Sequence, residues 1–218
     1  RVRWCARVEG IVAKRNSPAA NTLAAMAANF TITDGADDCP VLLHVPHASR
    51  EIPAEVAADF VATDEQIAEE LDRVTDDYTD ALAAAAAEKS GCAPWMIVNK
   101  LSRLVADPGR FSNERDSMDA TGRGAIFTKL ADGNPLRPSD MNLADLKAEY
   151  YFPYADAVSK LVGERIRDCG AAVIVDLHSY NNQPDEYQIH PGKLLPDVCI
   201  GTHSVHTPAL LADTTDRI

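Results

Sequence analysis

The stretch AAVIVDLHSY, Ala171 to Tyr180, decides the fold. Its first five residues, Ala171 to Val175, form a continuous apolar run that stops at Asp176, and they read as a buried strand. Upstream, a helical stretch is expected from about Asn142 to Asp168, interrupted at Pro153 and ended by Gly170. Further out, three more runs read as strands: Val41 to Val45 closed by Pro46, Trp95 to Val98 entered from Gly91 and Pro94, and Val198 to Ile200. Thr63-Asp64-Glu65-Gln66 is a capping box, which opens a helix. Apolar residues then recur at helical spacing at Ile67, Leu71, Val74, Tyr78, Leu82 and Ala85. Thr75-Asp76-Asp77 offers a break into two helices, because these residues favour caps over helix interiors. Residues 107–140 are dense in turn residues and are expected to be irregular. Strands alternating with helices imply an α/β fold with a largely parallel sheet.

At roughly 150 residues per domain, 218 residues fit one domain with an appendage. Residues 1–38 are Ala-rich and weakly patterned and read as a poorly specified leader; residues 39–218 read as a single domain. The net charge of −12 argues against a nucleic-acid partner, whose phosphates call for a basic surface, and against a polybasic membrane-surface protein. The longest apolar stretches fall far short of the ~20 residues that span a bilayer. Five cysteines, odd in number, widely spaced and without C-x-x-C, argue against a disulfide framework or a thiolate zinc site. Three of them border apolar runs and read as small buried hydrophobes of a reducing compartment, which makes the cytoplasm the expected location. No G-x-G-x-x-G, P-loop or G-x-S-x-G is present, so dinucleotide, P-loop and nucleophile-elbow chemistry are disfavoured.

In such sheets ligands bind beyond the carboxyl ends of the strands. Pro46-His47-Ala48-Ser49 follows the first apolar run, Asp176-Leu177-His178-Ser179 follows the best one, and Gly201-Thr202-His203 follows the last. Imidazoles converging there suit a divalent metal, whose catalytic sites use about three protein ligands and one open position. A histidine at a strand end also serves as a hydrogen-bonding turn residue. His44, inside its run, reads as a core histidine, and His190, His203 and His206 lie in polar loops. Asp176 reads as a partner behind the metal ligand or as a strand-end cap. Asp76 is open too. On a continuous helix it joins the solvated face, which periodicity favours; at a break after Thr75 it can face the strand ends.

At these residues the sequence resembles the N-formylglutamate amidohydrolase family. LLHVPHASREIP (Leu42 to Pro53) is similar to its first His motif and VIVDLHSY (Val173 to Tyr180) to its second. TDDYTDAL (Thr75 to Leu82), SRLVADPGRF (Ser102 to Phe111) and PDVCIGTHSVHTP (Pro196 to Pro208) resemble three further segments in the same order. The resemblance implies a three-layer α/β/α fold like that of the zinc carboxypeptidases, with a mainly parallel or mixed sheet. It implies a metal-dependent hydrolysis of a small anionic N-acyl amino acid, first N-formyl-L-glutamate to formate and glutamate. His47, Asp76 and His178 become the metal ligands, with zinc the first candidate among divalent ions. Arg103, Arg110 and Ser179 become substrate-binding candidates, the two arginines because their forks match carboxylates. Each arginine equally suits a structural ion pair.

Two places depart from the family's pattern. Pro153-Tyr154-Ala155 stands where many members carry histidine after proline, and Asp107-Pro108-Gly109-Arg110 lacks the asparagine of the family's D-L-N-R. The family's general base, a glutamate on a later strand, is expected beyond Ile218, so the chain reads as truncated. Alternatives from the same residues are a deacylase with another substrate and a non-catalytic metal- or ligand-binding module.

Overall fold

The computed structural model describes residues 3–11, 29–112, 116, 118–180, 197–202, 207, 209 and 213. Among these, one mixed sheet contains β1 (Arg3–Ile11), β2 (Phe30–Thr33), β3 (Val41–Val45), β4 (Trp95–Asn99), β5 (Ala172–Tyr180) and β6 (Val198–Gly201). Their order is β2-β4-β3-β5-β1-β6. β3 pairs in parallel with β4 and β5, and β1 with β6; β2 runs antiparallel to β4 and β1 antiparallel to β5.

Alternation along β3 sets the layers. Leu43 and Val45 pack with Ala83 and Leu177 on the face covered by α3 (Thr79–Lys89). Leu42 packs with Tyr154, Ala157 and Leu161 on the face covered by α5 (Phe152–Cys169). Helices thus flank the sheet on both sides, as the α/β/α expectation requires.

The helix break is real. A short α1 (Ala54–Ala57) precedes α2 (Asp64–Val74), which opens on the expected capping box. The Gln66 N–H donates to Thr63 Oγ1 at 3.3 Å and the Thr63 N–H to Gln66 Oε1 at 3.0 Å. Thr75 then turns extended and closes α2.

Four features differ from the sequence expectation. β5 does not stop at Asp176 but runs on to Tyr180, because β1 pairs with it along its whole length, from Arg3↔Tyr180 to Ile11↔Ala172. Regular strands occur before residue 38, β1 lying inside the sheet and β2 at its margin. Pro153 does not interrupt the helix. α4 (Ala144–Leu146) passes into a π-helical turn over Lys147–Tyr151, and Pro153 stands in the first turn of α5. The wider turn absorbs the missing N–H. Finally, Cys39 and Cys92 form a disulfide, Cα–Cα 5.5 Å, against the expectation of unpaired cysteines. They precede β3 and β4, and parallel pairing of those strands brings the two starts together.

The long segment between β4 and α4 is irregular, as expected, yet it is packed. Its carbonyls need partners, and the buried Arg137 supplies two. Its Nη1 donates to the Phe127 carbonyl and its Nη2 to the Leu104 carbonyl at 2.6 Å, while the guanidinium sits 4.9 Å from the Phe60 ring centre.

Candidate metal centre

Three side chains meet beyond the carboxyl ends of β3 and β5. His47 follows β3 by two residues and is 3% exposed. His178 lies on β5 near its end. Asp76 comes from the break between α2 and α3, where its backbone is held on both sides. Its N–H donates to the His47 carbonyl at 2.9 Å, and its own carbonyl accepts from Thr79 Oγ1 at 2.8 Å.

His47 Nδ1 lies 3.2 Å from Asp76 Oδ2 and 3.3 Å from His178 Nδ1, and His178 Nδ1 lies 2.7 Å from the same Asp76 oxygen. Ligand atoms at ~2.0–2.1 Å from a tetrahedral zinc stand about 3.3 Å apart, so the triangle is close to the size such an ion needs. Among the described residues these three are the group of histidine and carboxylate side chains able to hold a metal.

The far side of each ring is also occupied. His47 Nε2 lies 2.8 Å from Asp107 Oδ1 and His178 Nε2 3.1 Å from Asp176 Oδ2. A carboxylate facing Nε2 keeps the proton on that nitrogen and turns the Nδ1 lone pair inward, the arrangement usual behind metal-bound imidazole. Two such lone pairs and a carboxylate oxygen facing one another demand a positive charge between them. A raised affinity of His178 for a proton is one answer to that demand. Burial alone would lower the His178 pKa, but hydrogen bonds to Asp176 and Asp76 raise it to about 10. Burial alone would raise Asp76; the bonds from His178 and His47 hold it down at about 2. A divalent cation can take the proton's place, displacing it.

Asp107 is fully buried. Its Oδ2 accepts from Arg103 Nε at 3.0 Å and Nη2 at 2.9 Å, and its Oδ1 also accepts the Gly109 N–H at 2.9 Å. Burial opposes its ionisation, but the Arg103 charge and then His47 hold it far below the usual carboxylate range. Gly109 is needed for a close approach. A Cβ there would stand 2.9 Å from His47 Cε1 and 3.0 Å from Nε2. Gly109→Ala is therefore expected to destabilise the protein by about 1–3 kcal/mol, read as a lowered urea midpoint at unchanged slope. An unchanged midpoint would show that the His47 ring gives way freely.

The substrate-binding candidates part company. Arg103 is committed to Asp107, with Nη1 also 3.4 Å from the Val74 carbonyl. Arg110 is freer, its side chain 31% exposed and its Nε 3.6 Å from Asp107 Oδ2. Alternation along β5 turns Ser179 to the face opposite His178. His190, His203 and His206 lie outside the described residues. Sequence reasoning gave Asp107 no role of its own. Its signal was present in Arg103-Leu104-Val105-Ala106-Asp107, an arginine and a carboxylate close in sequence.

Comparison with known proteins follows the same lines. Residues 39–218 match the family model of N-formylglutamate amidohydrolase. The N-formylglutamate amidohydrolase of Ralstonia eutropha JMP134 is similar at 21% identity and a TM-score of 0.53, over 66% of this chain and 55% of that one. A gene product of Agrobacterium tumefaciens is similar at 23% identity and a TM-score of 0.50, over 71% of this chain and 57% of that one. These two likenesses show the fold, and the chain spans little more than half the length of either structure. No match is found among curated proteins. A match over residues 39–218, most of the chain, shows that it belongs to the N-formylglutamate amidohydrolase family.

Proposed function

We propose that the chain carries the metal centre of an amidohydrolase that cleaves N-formyl-L-glutamate with water to formate and L-glutamate. The observation that carries this reading is the convergence of His47 Nδ1, Asp76 Oδ2 and His178 Nδ1, with a carboxylate behind each ring. Two imidazoles and a carboxylate suit zinc. A bound zinc would supply Lewis acidity toward the formyl oxygen and an acidified water.

The chain's own residues hold and orient the centre. Asp107 and Asp176 fix the two rings, and Arg103 neutralises Asp107 so that the buried carboxylate stays ionised. Arg110, half-exposed beside the centre, is the residue we assign to a substrate carboxylate. Arg103 is spent, and Ser179 faces away, so neither keeps that role. The Cys39–Cys92 disulfide removes the cysteine argument for a cytoplasmic location; among the described residues no helix is long and apolar enough to cross a membrane.

The test is formate release from a panel of N-acyl amino acids with zinc supplied. Turnover of N-formylglutamate supports the reading. Turnover of another member alone selects a different deacylase, and zinc uptake without any turnover selects a binding module. In an active enzyme Arg110→Ala is expected to raise KM for the dicarboxylate about 10-fold or more, the loss of a charge-assisted bond, while leaving an uncharged formamide nearly unaffected. Equal effects on both would remove the carboxylate role.

A further inference from the structure

We propose that His44 is a positioning residue for the metal ligand His178, acting through Asp176; this rests on the metal reading above. β3 and β5 pair in parallel with His44 opposite Asp176. Asp176 and His178 are two residues apart on β5, so all three side chains lie on the face that α5 covers. His44 Nδ1 donates to Asp176 Oδ1 at 2.8 Å, and His178 Nε2 lies 3.1 Å from Asp176 Oδ2. Each carboxylate oxygen therefore has an imidazole nitrogen beside it, and the bond from His44 restrains the carboxylate.

The core-histidine reading does not account for His44. The residue is 8% exposed and its ring lies 5.7 Å from the Tyr154 ring, yet its Nε2 is buried with no hydrogen-bond partner. An apolar side chain would fill the place without stranding a polar atom. What the histidine adds is the single bond to Asp176. The two metal-binding rings thus have unlike supports. Asp107 behind His47 is gripped by a guanidinium and a backbone N–H, whereas Asp176 behind His178 is gripped by His44.

Without that bond, the Asp176 carboxylate and then the His178 ring gain rotational freedom, and Nδ1 no longer holds its place in the triangle. Loss of a support of this kind lowers metal affinity by roughly 10-fold or more. The test uses the full chain and compares wild type with His44→Phe and His44→Asn. Phenylalanine keeps the ring and removes the donor. The asparagine Nδ2 stands where the histidine Nδ1 stood and can restore it. Zinc affinity is read by competition with a chromophoric chelator, the Co²⁺ visible spectrum reports ligand geometry, and urea melts in chelator report folding.

His44→Phe should bind zinc about 10-fold more weakly with an altered cobalt spectrum, and His44→Asn should return to within about 3-fold of wild type. His44→Gln, whose donor lies one bond further out, serves as the loss variant if His44→Phe does not fold. Wild-type affinity and spectrum in the loss variant, or equal losses in it and in a folded His44→Asn, would overturn the proposal while leaving the metal centre standing. Failure of the wild type to take up either metal would overturn both.

Discussion

Asp107→Ala is expected to cost about 3–5 kcal/mol of folding stability, the largest loss of any single substitution near the site. The carboxylate is fully buried and gathers His47, Arg103 and the Gly109 N–H. Its removal leaves the Arg103 guanidinium in the interior without its partner, and an unpaired buried charge costs far more than a lost contact. It also releases His47 Nε2. A domain with about 5–15 kcal/mol in hand loses much of its margin this way. Asp107→Asn, which keeps the shape and one acceptor but not the charge, should fall between. Urea unfolding at neutral pH measures both. A loss under about 1 kcal/mol for the alanine variant would mean that Arg103 finds water or another partner, and the account of this pair would be wrong.

Asp76→Ala is expected to lower zinc affinity more than 100-fold while leaving the fold in place. Losing a group that only supports a ligand ring costs about 10–100-fold, so losing a charged ligand itself must exceed that. The local chain survives because Asp76 is tied through its backbone, to the His47 carbonyl and to Thr79 Oγ1, and neither bond uses its carboxylate. The measurement is zinc competition together with a circular dichroism melt. Affinity within 10-fold of wild type would show that His47 and His178 bind with some other partner and that Asp76 serves only as a hydrogen-bond acceptor.

Much of this was legible in the sequence. β3 has the predicted limits because Pro46 ends an unbroken apolar run. The α2 start was written in Thr63 and Gln66, and the break after it in Thr75-Asp76-Asp77. That break decides the site. Periodicity alone put Asp76 on a solvated face, whereas extended backbone at Thr75 turns it toward His47. The rule that ligands gather at strand ends was enough to pick out His47 and His178.

What stayed hidden depends on long-range pairing. Asp176 and His178 are polar at alternate positions of a strand, which reads locally as the strand's end; only the pairing of β5 with β1 shows that it continues. The partnership of His44 with Asp176 follows from the register of β3 against β5. The Cys39–Cys92 pair follows from parallel β3 and β4. Arg103 and Arg110 look alike in sequence. They differ in which of them Asp107 has already claimed.

Elemental analysis of the purified chain beside His47→Ala and His178→Ala tests the metal centre itself. About one zinc per wild-type chain is expected, lost in both variants while they remain folded. No metal in wild type prepared without chelator, and none taken up when zinc is added, would contradict that expectation. The two rings would then be held by their carboxylates for the sake of the fold alone.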